Sequence, residues 1–559
     1  MKKVSLWLLL FLIVPTFLLA QESAIRTYTT VTPNGVEEVT DFGAYSIDST
    51  GTVTRNTSPG LLWNYPDNGL FWIGSNVSIG DRGTQVCAIC YLNNERIELF
   101  SAFDDDPPAP IWTDTSIYDT DGSYMCSSAS NSDFHVAMYQ EKSPDSYNRI
   151  PWVHAYDSSS ETPLWTWNYG TTINSGSKVA TDRDGTVVAV AVSNDNSGNV
   201  DLFFLDPANG NVMNTFSVAL TGLRGFDLSS DGSTLYFHGG TTVHIFDIAS
   251  NQIIFTTSTG GSFDGHCISG NGEKFAFGGF GNVTVYEWNG STYVNTIYYG
   301  TGSGNYADEM DFSDDGTTLG FGVTQYSPAS SKCEGYIMDV AGGGVIESHA
   351  TWNSNGTYQD VCCSAAISHD GTYFALARWG DQLKANHEVY VLEKGNNTPV
   401  GSIDMRGSAY AVDISLDGQV TVSSGKAIHA NISGNGGDVY CFDLGDEDVV
   451  VHGKPIVGQS FVLEIHGTPG WNYIPYRCAG DVPTGVSYPA GVVYLDLTLP
   501  YYQMYTSVIP SSGVATDTVN LPNWPGLVGF TNHIQVLFGN PGWTTKAASK
   551  SYVTITVLP

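Results

Sequence analysis

Basic residues are scarce in this chain: 22 Lys and Arg stand against 56 Asp and Glu, a formal charge of −34. Such a surface excludes nucleic acid and anionic lipid as partners, and leaves cations and basic or uncharged molecules. Also missing is any Ala/Leu/Glu/Lys stretch with helical periodicity over three turns. In a chain of 559 residues rich in Gly, aromatic and β-branched side chains, that makes the class all-β with a large core. Past residue 20 no apolar run is long enough to cross a bilayer. The twelve histidines form no H-x-H or H-E-x-x-H pair, and neither a phosphate loop nor a G-x-S-x-G elbow occurs. A catalytic set assembled from residues distant in sequence is recognised by geometry alone and stays open.

The first twenty residues read as a secretory signal peptide: basic Lys2 and Lys3, an almost wholly apolar stretch from Leu6 to Leu19, and small Ala20 before polar Gln21. With no Cys near the cleavage point, a lipoprotein anchor is not expected. The mature protein, relieved of two lysines, carries −36 instead of −34, and its expected location is extracellular, cell-surface or periplasmic, without a transmembrane segment. Much of the acidity belongs to turns, where Asp is favoured. Nine cysteines, an odd number, leave at least one without an intramolecular partner. Cys87 and Cys90 form a C-x-x-C, but VCAICYL is a strand pattern, which points the two side chains to opposite faces and argues against a metal or redox site. Cys126, Cys267 and Cys441 lie in strand patterns too, where Cys serves as a small buried hydrophobe.

What the chain has in abundance is one turn. An Asp-Gly or close variant returns in VATDRDGTVVAVAV, FDLSSDGSTLYFHG, HCISGNGEKFAFGG, MDFSDDGTTLGFGV, AAISHDGTYFALAR and VDISLDGQVTVSSG, with glycines at 185, 232, 272, 316, 371 and 418. The intervals are 47, 40, 44, 55 and 47 residues, and a period in the forties with several short strands per period marks radially repeated four-stranded sheets. Each turn leads into an apolar strand, then a strand ending on an acidic residue (Asp206, Asp247, Asp339, Glu393, Asp443), then an outer strand. Weaker copies at SIGDRGTQVCAICYL and SNSDFHVAMYQ bring the count to eight, with inner strands beginning near residues 76, 125, 178, 223, 264, 308, 361 and 410. The last copy ends after VYCFDLG without an outer strand. LLWNYPD (Leu61 to Asp67) resembles the outer strands PIWTD and PLWTWNYG, so the N-terminal side is expected to supply the missing strand and close the ring, removing two sheet edges.

The xDFSxDGxxL turns of MDFSDDGTTLGF and VDISLDGQVTV, and the order of strands around them, resemble the WD40/YVTN and quinoprotein-like propeller superfamily over roughly residues 60–445. The resemblance implies an eight-bladed β-propeller, with seven blades as the alternative, and says little of function because such propellers host many activities. The expected layout is a signal peptide at 1–20, an N-terminal segment at 21–59, the propeller at 60–447 and a small β-sandwich at 448–559. The last unit is similar to the terminal sandwich domains of secreted bacterial proteins in its HGKPIVGQSFVLEIHGTPG opening and its IQV and VTI strands.

Candidate chemistry is thin. Asp227, Asp311 and Asp413 stand at matching places in inner strands, and His266 precedes another; such residues can line a polar channel mouth that binds a small ligand or ion. The same Asp can instead bond backbone amides of the neighbouring sheet. His369, in a turn, is expected to face solvent. The adjacent Cys362 and Cys363 raise the quinone-dependent dehydrogenases, which resemble this fold and place a vicinal disulfide at their cofactor, yet only HAYDSSSETPLWTW approaches their repeat. Calcium is conceivable at Asp104–Asp106, Asp119–Ser123 and Asp195–Asp201, although none has the spacing of a full calcium loop; no catalytic residue, cofactor or metal is assigned. The reading is a secreted, non-catalytic binding or scaffold protein that presents propeller loops to a protein or carbohydrate partner. The alternative is an exported propeller enzyme, a quinone-dependent dehydrogenase or a hydrolase or lyase acting at the channel mouth.

Overall fold

The fold is that of a computed structural model. It describes residues 60–558 apart from short stretches, the longest at 68–72, 103–107, 117–124, 129–133, 143–148, 260–264, 327–331 and 431–435, together with backbone strands between 26 and 55. The expected signal peptide lies outside the described residues. Within segment 21–59, where no strand was expected, the backbone forms a four-stranded antiparallel meander, from Arg26–Thr32 to Val53–Arg55.

Among the described residues, eight four-stranded antiparallel sheets follow one another between residues 60 and 443. Seven use four consecutive strands paired in chain order; the fourth, for example, runs Leu223–Leu228, Thr234–Gly239, Thr242–Asp247, Gln252–Ser258. Burial explains the sequence pattern along each sheet. Second strands such as Thr234–Gly239 are buried at every residue, because other sheets cover both of their faces. Outer strands such as Gln252–Ser258 alternate between half-buried and exposed, since only one side meets a neighbour. The innermost strands start at residues 73, 125, 177, 223, 266, 305, 362 and 409, within three residues of the expected positions.

Each innermost strand lies against that of the next sheet, and Ala409–Ile414 of the eighth lies against Ile73–Ile79 of the first. The ring is therefore closed. Its eighth sheet takes its outer strand from the N-terminal side: Gly60–Asp67 pairs antiparallel with Gly437–Asp443, Trp63 opposite Cys441 and Asp67 opposite Gly437. Trp63 is completely buried. Its indole N–H donates to the carbonyls of Ser101 and Ala102 in the first sheet, at 3.0 and 2.9 Å, and its ring packs 5.3 Å from that of Phe100. One side chain thus joins the two ends of the ring-forming segment to a third segment.

After residue 448, Val449–His452, Ser460–His466 and Val514–Asn520 form one antiparallel sheet, while Asn472–Cys478, Thr531–Gly539 and Lys546–Thr556 form the spine of another. Phe461, Leu463 and Ile465 of the first share a single core with Ile534, Val536 and Val553 of the second.

Candidate functional site

The repeated turn sets the geometry of one face of the ring. In S-x-D-G the Ser hydroxyl donates to the Asp carboxylate, as from Ser229 to Asp231 at 2.7 Å, and accepts from the amide five residues on, Thr234, at 2.9 Å. The glycine must adopt positive φ, from 61° to 77° at residues 83, 185, 232, 272, 316, 371 and 418. The turn then presses on the preceding sheet. A Cβ on Gly418 would meet Tyr373 at 2.5 Å, and one on Gly83 would meet Ser415 of the eighth sheet at 3.1 Å. Where Asp182 stands in place of the Ser, its carboxylate takes the same amides, those of Thr186 and Val187, at 2.7 and 2.9 Å.

All four candidate residues lie on innermost strands and are partly exposed. The carboxylate of Asp227 accepts from its following amide Leu228 and from Ile268 of the next sheet at 2.9 and 2.8 Å. Asp311 does so from Phe312 and Ile367 at 2.8 and 2.9 Å. Asp413 accepts from Ile414 and, across the closure, from Ile79 of the first sheet, both at 2.9 Å. His266 takes the amide of Phe226 on Nε2 at 3.0 Å. The three carboxylates are held by backbone amides on either side of a sheet junction, and His266 by an amide of the preceding sheet. Burial raises the Asp227 carboxyl to about 6 against the pull of those amides, and burial with the charges of Asp227 and Asp413 pushes Asp311 well up.

From the third sheet to the eighth, the residue between the Ser (or Asp182) and the Asp or Asn of the turn, variable in the sequence, lies at the mouth of the ring. Backbone bonds run from turn to turn, with the amide of Arg183 on the carbonyl of Ser230 at 3.0 Å, Asn271 on Asp314 at 3.2 Å, Asp314 on His369 at 3.0 Å and His369 on Leu416 at 2.9 Å. Side chains at that position then meet across the axis. Arg183 of the third sheet forms an ion pair with Asp314 of the sixth and reaches Nδ1 of His369 in the seventh at 3.1 Å. His369 also contacts Asp314, and the Ser230 hydroxyl donates to Asp314 at 3.1 Å. His369 is therefore not the solvent-facing turn residue expected: opposite charges on opposite sides of the ring draw it across the mouth. The signal was the identity of one variable turn position, legible only once the turns converge on an axis.

The opposite face carries the connections from second to third strands, among them the one that follows Arg378 in the seventh sheet and the one that follows Lys426 in the eighth. There Arg378, fully buried, pairs with buried Asp360, donates to the carbonyl of His387 at 3.2 Å and sits 5.9 Å from the Tyr390 ring centre. Asp438 receives the Arg406 guanidinium, Nε to Oδ2 at 2.8 Å. A buried pair such as Arg378–Asp360 fixes loop conformation, since removing either partner strands a charge. On the same face Phe280 is 60% and Tyr326 is 39% exposed. Tyr306 stands between them, edge-to-face with both at ring distances of 6.3 and 5.9 Å, and Leu383 in the seventh-sheet loop is 69% exposed. None of these was singled out from the sequence, where an aromatic in a loop carries no periodic signal.

A further groove of about 240 Å³ lies among Tyr476, Leu495, Leu497, Tyr501 and Val536 beyond the ring. Cys87, Cys267, Cys333, Cys362, Cys363, Cys441 and Cys478 are free thiols. Cys362 and Cys363 turn to different cores, so they are not the vicinal disulfide of a quinone site. Among the described residues no group of three His, Cys, Asp or Glu is placed to hold a metal ion. Of the calcium candidates, Asp104–Asp106, Asp119–Ser123 and Asp195 lie outside the described residues, as do the side chains of Cys90 and Cys126; Asp201 accepts from the Tyr169 and Ser217 hydroxyls at 2.5 and 2.6 Å. No helix of the described residues is long and apolar enough to cross a membrane.

These sheets, stacked face to face around an axis, define a β-propeller. No protein-family model matches the chain, and no curated protein matches it. Among solved structures it is similar to the β-propeller domain of Cps50 (Swd1) from Myceliophteria thermophila, at 9% identity and a TM-score of 0.40, covering 69% of this chain and 99% of that one. The propeller assignment rests on the sheets themselves.

Proposed function

We propose that this is a secreted, eight-bladed propeller with a terminal β-sandwich, a non-catalytic binding protein whose loop face takes a protein or uncharged glycan partner. The observation that carries this reading is the exposed pair Phe280 and Tyr326, bridged by half-buried Tyr306, on the face opposite the closed turn mouth. Exposed rings beside fixed loops offer flat apolar area at little entropic cost, as binding surfaces require. The strongly negative surface disfavours acidic glycans. Two sheets over a single core support the sandwich, and the apolar leader supports export.

Binding of the full-length protein to native extracellular material, measured with wild type and a Phe280→Ser/Tyr326→Ser variant, tests the assignment. The double variant should lose at least about tenfold in affinity, as expected when central aromatic contacts worth more than 1 kcal/mol are truncated, while Arg183→Gln at the other mouth should bind normally. Equal binding by the double variant refutes the assignment of the face. Turnover of a substrate by purified protein, lost on a single substitution, refutes the non-catalytic reading. Mass spectrometry of exported protein should find a chain beginning at Gln21.

A further inference from the structure

We propose that Cys333 and Cys362 form a disulfide that staples the sixth sheet of the ring to the seventh. Cys333 lies in the third strand of the sixth sheet, Lys332–Asp339, and Cys362 begins the innermost strand of the seventh, Cys362–Ile367. Register places Thr324 directly opposite Cys333, and the Cys362 amide donates to Thr324 Oγ1 at 3.0 Å. One threonine therefore brings the two cysteines together. Both enter the same core, with Ile337, Trp352 and Leu376, at 0% and 4% exposure. The two side chains are within interaction distance of each other. Gly322 completes the pocket: a Cβ there would come within 3.1 Å of Cys362 Sγ, so the sulfur is seated where only glycine leaves room.

The neighbouring Cys363 is turned away. Its thiol donates to the Ala409 carbonyl at 2.9 Å, in the core shared by the seventh and eighth sheets. The conspicuous pair in the sequence is thus the wrong pair. Formation of the bond removes two protons and two electrons from the thiols, and a disulfide oxidant of the compartment accepts them and leaves as two thiols. The proposal rests on the export reading for that oxidant; the geometry does not depend on it.

Two preparations separate the two claims. Full-length protein made under reducing conditions, denatured, refolded in a mixture of reduced and oxidised glutathione, alkylated and digested without reduction should yield a linked 333–362 peptide. Its thiol count after denaturation should fall from the nine cysteines of the sequence by two. The loss should vanish in Cys333→Ala and in Cys362→Ala and persist in Cys363→Ala, and the oxidised wild type should melt above its reduced form while Cys333→Ala shows no such difference. A 362–363 linkage, or nine free thiols in a protein whose circular dichroism remains native, overturns the staple. The second preparation is expressed with residues 1–20 and recovered from its natural compartment. If it proves cytoplasmic with the leader attached, the export reading fails, and the glutathione result alone decides the staple.

Discussion

At the residue scale, two side-chain positions account for most of the repeat. The turn glycine supplies a conformation that a side chain resists by about 1–2 kcal/mol, and it also clears the preceding sheet. Gly418→Ala should therefore cost more than the backbone term, at least about 2 kcal/mol, because its Cβ would lie 2.5 Å from the Tyr373 ring; denaturant unfolding checks this, and a neutral result contradicts the packing. The inner-strand Asp is the second. Asp413→Ala strands the amides of Ile79 and Ile414, and at about 1–3 kcal/mol for each buried unsatisfied group the expected loss is about 2–6 kcal/mol.

These carboxylates also predict a pH dependence opposite to that of ordinary acidic side chains. Asp227 is raised from 3.8 to about 6 in the fold, so the native state binds its proton more tightly than the unfolded chain. Its favourable contribution is full below about pH 4 and is lost as pH rises through about 6. At 1.36 kcal/mol per pKa unit the difference at neutral pH is at most about 3 kcal/mol, less what channel water recovers. The stability of wild type relative to Asp227→Asn should accordingly fall between pH 4.5 and 7.5, and parallel stability curves for the two proteins would contradict the burial.

At the scale of the element, the sheets are joined by a few polar networks that periodicity does not reveal. The outermost strand of the first sheet ends at Asp114, whose carboxylate accepts from Tyr156 of the second at 2.6 Å. Tyr156 Oη contacts His154 Nδ1 at 2.9 Å, and His154 Nε2 contacts Tyr139 at 3.1 Å. Burial works against the Asp114 charge, but His154, Ser116 and Tyr156 overcome it and hold the carboxyl well below its usual range. Asp114→Ala should cost about 1–3 kcal/mol by removing the carboxylate that accepts from the buried Tyr156 hydroxyl, measurable by chemical denaturation; a loss under half a kilocalorie would show the network to be ornamental. The closing strand is the other such element. Trp63→Ala empties a wholly buried site and should lower stability by about 3–5 kcal/mol.

At the scale of the molecule, the parts that were legible in sequence are those written in a period. The turn Ser, Asp and Gly recur because every sheet needs the same hairpin, and eight inner strands could be placed from them. The closing strand was legible because Leu61 to Asp67 shares the Trp-containing pattern of outer strands such as PLWTWNYG. What escaped was whatever depends on convergence. Nothing local to Arg183, Asp314 or His369 says that they share one mouth, since their turns lie far apart in sequence and become neighbours only through curvature. Cys362 likewise took its apparent partner from adjacency, whereas a strand sends neighbouring side chains to different cores. The loop-face aromatics sit where no repeat constrains the residue, which is also why a binding surface can be built there without disturbing the scaffold.

Closure of the ring by its own N-terminal strand is the most exposed claim, and amide hydrogen exchange of the intact protein measures it directly. Peptides covering 60–67 and 437–443 should be protected alike and exchange together, at the rate of global opening. Rapid exchange of 60–67 while 437–443 stays protected would show an open sheet edge and contradict the account.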